Sequence, residues 1–454
     1  NAIPAKLAGV SELIMTTPYQ IRNFRVDSVG VMFQDGTTVT IDKGAVLQLE
    51  YREGLFDKFL TVTLQLMDTT SKFSNALVGM EMFEVIFTDT QNGVRYEFTT
   101  DSKNGPLYAY NVHSKQIIDT GKSLTVELCR QDAILSMQKR VCKKYENQTA
   151  DQLAGDIIVN ELGQTKKGIF TQKSINKISF IPPNSRPLDV LIWARNKFIG
   201  DDQKSTAAGG NYTSAGFLFY ETYDQYNYVS VDKLSGQTGH KCVFTTGTGT
   251  STTQDAFRIE NPEFVNTIDM VQNFDKGFYS GQIEFFDITE CTMSTEKYTL
   301  QDLYPTWNKI GSSNYLPSMN SPAMKEDLKP VAPESPAVHS KYATRNMMVS
   351  FNKELFAGST EDKSEDAEIF RQTVLQSVSR LGIFMNQVLT VTCNIGNMDL
   401  HAGDPVLIEF FDSQGNIDTQ HSGRYIIADL THLYTKSEDK LKTYLTLTRD
   451  SFGL

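Results

Sequence analysis

One stretch near the C-terminus repeats a stretch near the N-terminus, and this repeat constrains the possible folds more than any other feature. Residues 87–93, FTDTQNG, correspond to residues 410–416, FFDSQGN: an aromatic strand end followed by turn residues. The match continues, because a strand with Val112-His113 and then LTVELCRQD follow the first stretch, whereas Thr431-His432 and then LTLTRD follow the second. Three matched elements in the same order indicate two copies of one β unit.

The sequence around both copies has the alternating pattern of short strands. FLTVTLQLMD at 59–68 alternates apolar and polar residues, and VLTVTCN, PVLIEFF, GRYIIADLTHLY and KTYLTLTRD follow in turn near the C-terminus. Each copy is therefore predicted to form a small β-barrel. A chain with two such barrels has a mechanical use: three copies place six similar units around an axis, so a threefold object can join a sixfold one.

Helical patterns occupy the middle of the chain. Residues 131–145 are predicted to be helical, Thr149 and Gln152 form a capping-box pattern before a second helix, and Pro187 opens a third. A further helix is predicted over 365–385, with one apolar face formed by Phe370, Val374, Val378, Leu381 and Met385. We therefore predict a mainly β fold with an α+β middle: two similar antiparallel β-barrels plus an inserted helix-containing domain.

These patterns suggest domain limits. Residues 1–130 are predicted to form the first barrel, and residues 258–295 and 385–454 the second. Residues 131–257 and 296–384 then form the middle domain, which carries a long polar arm at 308–364.

Composition argues against several partners. The formal net charge is −11, and tight nucleic-acid binding depends on an excess of Lys and Arg over acidic residues. No run approaches the ~18 consecutive apolar residues of a membrane span, and NAIPAKLAGV does not resemble a signal peptide. The 5 cysteines are scattered, which suits buried thiols in a reducing compartment.

Two groups of residues resemble metal or catalytic sites. His401 and Asp404 suit a metal pair or a base and its orienting acid, but a turn that Asp404 caps before a strand is the favoured interpretation. His421 and His432 lack the convergent ligands of a zinc site. No metal site is predicted from either group.

Acidic, glycine-rich and aromatic stretches also resemble functional sites. Glu81, Glu84 and Asp89 could supply a glycosidase pair, but Glu81 and Glu84 are predicted to point to opposite faces of a strand. The GTGTST stretch at 247–252 lacks the Gly-Lys-Ser/Thr ending of a phosphate loop. A set of aromatic residues could stack on sugars or bases, although a half-buried hairpin is favoured: Phe217, Phe219, Tyr223, Tyr226 and Tyr228. We predict no catalytic, cofactor-binding or metal-binding residue and no cofactor.

The combined sequence resembles a known family. LQLMDTTSKFSNALVGMEMFEVIFTD, PLDVLIWARNKFIG, GFLFYETYDQYNYVSVDKL, GFYSGQIEFFDIT and the closing NMDLHAGDPVLIEFFD to LTLTRD resemble, in this order, the baseplate central hub protein of contractile-tailed bacteriophages. The resemblance implies a homotrimer whose tail-tube-like barrels form a pseudo-sixfold ring. It also implies contacts with a central spike, the tail tube and baseplate wedge proteins, in a virion assembled in the host cytoplasm. The lengths of 235–256 and 308–364 depart from the family.

Two other functions remain open from the sequence. One is a cell-wall or polysaccharide hydrolase with β-rich accessory domains. The other is the hub of a related contractile injection system, such as a tailocin.

Overall fold

The computed structural model describes residues 24–452, apart from gaps at 70–74, 119–120, 202–215, 247–256, 267–268, 305–306, 312–343, 352–370, 372–373, 375–376, 394–395 and 413. Three predicted features fall largely outside the described residues: the GTGTST stretch, most of the polar arm, and the first part of the predicted helix at 365–385. The described part of that helix comprises Arg371, Val374 and residues 377–384.

The N-terminal unit is a β-sheet built from strands β1 to β8. Their bounds are β1 (Phe24–Met32), β2 (Thr38–Ile41), β3 (Val46–Gly54), β4 (Thr61–Asp68), β5 (Met82–Asp89), β6 (Arg95–Phe98), β7 (Leu107–Ile118) and β8 (Gly121–Arg130). Every second side chain of β4 and β5 is buried, as expected for strands with one face on a core. The strands pair in the order β2-β1-β5-β7-β8-β4-β3, and β6 also pairs with β5.

The middle region combines short helices and strands. Its elements are α1 (Gln131–Gln138), β9 (Tyr145–Gln148), α2 (Ala150–Gly155), β10 (Gly168–Thr171), β11 (Ile178–Phe180), α3 (Pro187–Ala194), β12 (Phe217–Glu221), β13 (Gln225–Ser230) and α4 (Val231–Ser235). The predicted capping box is present, with the Thr149 N–H donating to Gln152 Oε1 at 3.2 Å, and α2 continues as a π turn at Asp156–Glu161. Pro187 begins α3, as predicted.

The remaining strands divide between a closed barrel and a separate sheet. The elements are β14 (Val243–Thr245), β15 (Phe257–Asn266), α5 (Met270–Asp275), β16 (Ser280–Asp287), β17 (Thr292–Thr299), α6 (Leu300–Leu303), β18 (Arg345–Phe351), β19 (Gln387–Cys393), β20 (Pro405–Glu409), β21 (Gly423–Thr435) and β22 (Lys440–Arg449). The C-terminal barrel closes in the order β21-β20-β14-β15-β19-β22, because β22 also pairs with β21.

Two details differ from the sequence-based description of this barrel. β14 runs parallel to both of its neighbours, so the barrel is not wholly antiparallel. The sequence pattern predicts residues 258–295 in the second barrel, but β16 pairs with β17 and β18 in a three-stranded sheet instead. The buried Ile283 and Phe285 of β16 pack against the core of the middle region. Alternation predicts a strand with one buried face but not which sheet it joins.

The two β units share the same strand order. The antiparallel path β3-β4-β8-β7-β5 in the N-terminal unit corresponds to β15-β19-β22-β21-β20 in the C-terminal barrel. A bulge falls at the same place in both, between Ala109 and Asn111 in β7 and between Ile427 and Asp429 in β21. The predicted mainly β fold with two similar β units is therefore confirmed.

The repeated turn also occupies equivalent positions. Met82 of β5 pairs with Tyr108 in the way that Pro405 of β20 pairs with Ile426, and Asp89 and Asp412 each lie 7 residues further along. Asp89 Oδ1 accepts from the Gln91 N–H at 2.9 Å, and Asp412 Oδ1 accepts from the Gln414 N–H at 2.8 Å. Each turn also contains a glycine with positive φ, Gly93 at 71° and Gly415 at 84°.

The repeated histidines are not equivalent, however. The equivalent strands β8 and β22 each end in a buried arginine, Arg130 and Arg449 respectively. Counting back from them, His113 corresponds to Thr431, and His432 lies one residue later. His113 is exposed whereas His432 is fully buried, so the match of histidines was wrong by one residue.

A strand pair joins the two β units into one sheet. β3 pairs with β21 in antiparallel register from Gly54↔Asp429 to Gln48↔Thr435. One hydrophobic core therefore extends through both units, with fully buried Leu64 and Phe87 from one and Leu430 from the other.

Candidate functional site

Several buried polar groups converge where the two β units meet the β12–β13 hairpin. At its centre is the carboxylate of Glu53 on β3, which is 0% exposed. Glu53 accepts hydrogen bonds from the Tyr51 hydroxyl, from the Tyr223 N–H at 2.7 Å and from the Ala402 N–H at 3.0 Å. His401 Nδ1 lies 3.1 Å from the same carboxylate. We call these residues, together with Asp224, the Glu53 cluster.

His401 is held between two carboxylates. Its Nδ1 faces Glu53, and its Nε2 lies 3.3 Å from Asp224 Oδ2. Burial by itself lowers the pKa of His401, but Glu53 and Asp224 outweigh it and raise that pKa to about 10. Hydrogen bonding to His401 and Lys103 lowers the pKa of Asp224 despite its partial burial. His401 is therefore a buried cation that fixes the hairpin turn to β3.

Asp404 has the structural role that the sequence favoured. Its Oδ2 accepts from the His401 backbone N–H at 2.8 Å and lies 3.0 Å from Lys241 Nζ. The His401 imidazole thus contacts other carboxylates, and Asp404 does not orient it as an acid would orient a catalytic base. A cavity of about 310 Å³ beside these residues is lined by charged groups that already have partners, including Asp224 and Lys241.

The other acidic candidates also serve local structure. Glu81 is buried and accepts from the Val78 N–H at 2.8 Å and the Gly79 N–H at 3.0 Å. Glu84 accepts from the Thr100 N–H at 2.9 Å. These carboxylates are committed to backbone donors and so are poorly placed as a glycosidase pair.

The histidine and aromatic candidates are separated or buried. His421 Nδ1 lies 2.6 Å from Asp418 Oδ2, whereas His432 Nδ1 lies 2.9 Å from Thr443 Oγ1 inside the core. In the part of the chain that the structure describes, no three His, Cys, Asp or Glu side chains are grouped to hold a metal ion. The five aromatic residues of the hairpin are all buried, so they form core rather than an open stacking surface.

Two further buried charge networks were not recognised in the sequence. Glu221 on β12 accepts from Arg130 Nη1 and from Lys167 Nζ, both at 2.7 Å. Arg380 donates to Asp232 Oδ1 at 3.2 Å and to Asp450 Oδ2 at 2.5 Å. Each network joins the middle region to the end of β8 or β22. The available sequence signal was the Arg that ends each repeated strand, together with the Asp one or two residues later.

Several other findings bear on function. Cys129, Cys242 and Cys393 are buried free thiols, whereas Cys142 and Cys291 are exposed, contrary to the expectation that all five are buried. None of the described helices has the length and apolar character needed to cross a membrane.

Comparisons with known proteins identify the fold. No protein-family model matches the chain. No curated protein matches it either. Among solved structures, a tail protein from Neisseria meningitidis is similar with a TM-score of 0.50 and 10% identity, over 94% of this chain and 97% of that one. A 43 kDa tail protein of prophage MuSo2 from Shewanella oneidensis has a TM-score of 0.49 and 9% identity, over 94% and 98%.

A third structure comes from a secretion system. It is an E. coli type VI secretion component described as similar to the bacteriophage T4 tail proteins gp27 and gp5, with a TM-score of 0.43 and 9% identity over 95% of this chain and 78% of that one. The structural neighbours are thus tail proteins and tail-like secretion components. At these identities the comparison establishes the architecture alone, and that architecture is the fold of a tail protein.

Proposed function

We propose that this chain is the structural hub of a contractile-tail baseplate, in which three copies form a pseudo-sixfold ring. The observation that carries this proposal is the repeated strand order of two β units that share one continuous sheet through β3 and β21. A chain with two equivalent units can occupy two adjacent places of a sixfold ring. The fold shared with a tail protein supports the same conclusion.

The ring explains why duplication is useful. Three chains present three identical faces to a threefold spike and six similar units to a hexameric tail tube. We propose the spike on one face, the tube on the other and wedge proteins at the periphery, within the virion tail after assembly in the host cytoplasm. We also retain, as part of this proposal, the division into two β units and an inserted middle domain.

The charge of the chain suits a channel for DNA. With a net charge of −11, the protein repels phosphate on average, so DNA can pass through the ring without being held. In this proposal DNA passes through the ring and the protein does not bind it.

We propose that the role does not include catalysis. The acidic and histidine residues that sequence analysis considered are engaged in turn capping, buried ion pairs or core packing. A zymogram on peptidoglycan tests this directly. Clearing that disappears in Glu81→Gln or Asp404→Asn protein would support the hydrolase instead.

The oligomeric state tests the hub proposal. Multi-angle light scattering should give a mass three times that of the 51.0 kDa chain for the protein alone, or that mass plus the mass of the spike for a complex with a co-expressed spike protein. A permanent ring of this kind should bury more than about 2,000 Å² at each interface. Negative-stain images should show a ring with six similar lobes. A stable dimer, or a monomer that persists in the presence of the spike, would contradict the proposal.

A further inference from the structure

Among the described residues, each β unit has a strand edge that stays largely unpaired, on β7 in the N-terminal unit and on β15 in the C-terminal barrel. β7 pairs with β8 along one edge, but its other edge bonds only from Leu107 to Ala109, to the start of β5 and to Met80 and Glu81 just before it. β15 pairs with β19 along one edge, and its other edge contacts β14 only at Phe257 and Arg258. Among the described strands, the rest of these two edges has no pairing partner.

The open edges correspond to the two strands that already pair within the chain. β15 holds the place in the C-terminal barrel that β3 holds in the N-terminal unit, and β7 holds the place of β21. β3 and β21 form the junction between units. The chain therefore contains one completed junction and both halves of a second one.

We propose that β15 of one copy pairs antiparallel with β7 of a second copy, and so repeats between chains the β3–β21 junction seen within the chain. This inference rests on the proposed function, because it specifies the interface of the proposed ring. Junctions within and between chains then alternate, and three copies close six units. Unpaired strand edges are a hazard in a single copy, and the ring covers them.

The sequence of β15 supports this assignment. Phe264 pairs with Leu389 in the way that Tyr51 pairs with Val62, so Glu263-Phe264 takes the place of Glu50-Tyr51. Both are a glutamate followed by an aromatic residue. Tyr51 packs against Tyr96 with ring centroids 5.0 Å apart, and Phe264 packs against Phe410 at 5.6 Å. The two strands thus share sequence as well as position.

The register of the β3–β21 junction identifies the segment of β7 that would lie opposite Glu263, and the charge of that segment is complementary. Within the chain, Glu50 lies opposite Leu433 of β21. The equivalent place on β7 falls in a bulge at residues 114–116, after His113. The charged residue of this segment is Lys115, so the junction brings Glu263 of one copy to the segment that carries Lys115 of the other.

β15 also has a feature that prevents indiscriminate pairing. Pro262 lacks a backbone N–H, and Asn261 beside it has a φ of 47°. Proline on an edge strand removes one donor and disfavours generic sheet extension. The matched β7 edge can lose one hydrogen bond here and still pair along the rest of the strand.

Cysteine cross-linking tests the junction. In a background with the exposed cysteines removed (Cys142→Ser, Cys291→Ser), Glu263→Cys is combined in one chain with Ser114→Cys, Lys115→Cys or Gln116→Cys. Directly opposed residues in antiparallel strands have Cα atoms about 4.5–5.5 Å apart, which suits a disulfide. One of the three pairs should give a covalent trimer on oxidation that reductant reverses. The matched control combines Ile181→Cys, 59% exposed in the middle region, with the same partners and should stay uncross-linked.

Charge reversal provides an independent readout. Glu263→Lys and Lys115→Glu should each weaken trimer formation about tenfold, because like charges then meet at every junction between chains. The double variant should restore it. Asp101→Lys, an equal charge change at an exposed site of the N-terminal unit, should leave the trimer unchanged.

The outcomes separate this inference from the proposed function. A trimer that cross-links at 263 and recovers in the double charge variant supports both. A trimer that forms without any cross-link from 263 overturns the β15–β7 junction and leaves the ring standing. A chain that does not form trimers, with or without the spike, overturns both.

Discussion

His432 of β21 lies directly opposite Tyr51 of β3, with the ring centroids 6.1 Å apart and the ring planes at 21°. Both side chains are fully buried. The Tyr51 hydroxyl donates to Glu53, which in turn holds His401. The junction between the two β units and the attachment of the middle region therefore meet in one buried group.

Acid should weaken the protein through His432. Burial lowers the pKa of His432 to about 3, whereas an unfolded histidine titrates near 6.5. Its contribution to stability is therefore complete above pH ~6.5 and is lost as the pH falls towards 3, by up to about 1.4 kcal/mol per pH unit. In His432→Phe protein this part of the acid sensitivity should disappear. Thermal unfolding of both proteins at pH 7.5 and pH 5 measures the difference, and parallel pH curves would contradict it.

His401 should show the opposite pH dependence. Its pKa is raised to about 10 in the folded protein, so its contribution is complete below pH ~6.5 and is lost as the pH rises through 10. His401→Gln leaves Glu53 buried without its cation, which should cost about 3 kcal/mol near neutral pH. The gap in unfolding midpoint between the two proteins should narrow at pH 10. His113→Gln, at an exposed histidine, is the control and should have little effect at any pH.

Glu221 should be among the least replaceable acidic residues. Glu221→Gln removes the negative charge between Arg130 and Lys167, both of which are buried. Leaving buried cations without compensation should cost about 3–5 kcal/mol. Denaturant unfolding measures the loss. Glu146→Gln is the matched control, because its ion pair with Lys144 is more than 60% exposed on both sides and should contribute under about 1 kcal/mol.

Removing residues 385–454 should unfold the C-terminal barrel and not merely shorten the chain. The truncation deletes β19 to β22, four of the six strands of the C-terminal barrel, and deprives β3 of its partner β21. The backbone groups left unpaired should lower the melting temperature and change the far-UV circular dichroism spectrum. An unchanged spectrum and melting temperature would show that the barrel does not depend on these strands.

Duplex DNA should bind weakly at physiological salt. The excess of 11 acidic charges opposes phosphate, and the binding constant of a non-specific complex depends on released counterions. Fluorescence anisotropy with a labelled duplex should detect no saturation at micromolar protein. Sub-micromolar affinity that falls steeply with salt would contradict DNA passage through a non-binding ring.

The repeated turn and the strand pattern could be found from the sequence because both depend on local chemistry. Asp89 and Asp412 cap their turns in the same way, and alternation correctly located β4, β5 and β19 to β22. The favoured role of Asp404 was confirmed because turn capping involves residues only three positions apart. The capping box at Thr149 and Gln152 was found for the same reason.

Long-range pairing could not be found in this way. β16 has the alternation of a barrel strand, yet it belongs to another sheet, because alternation specifies a buried face and not a neighbour. The match of His113 with His432 failed by one residue for a related reason: register is set by cross-strand pairing.

The sequence alone determined that this chain is mainly β, that its ends carry two copies of one unit, and where the repeated turns lie, since these features follow from residues near one another in the chain. The folded chain determined that Glu53 gathers His401 and Tyr223 from positions more than 160 residues away, and that β3 pairs with β21. The physical reason is that a buried charge or an open strand edge is tolerated only when a distant segment satisfies it, and no local pattern specifies that segment.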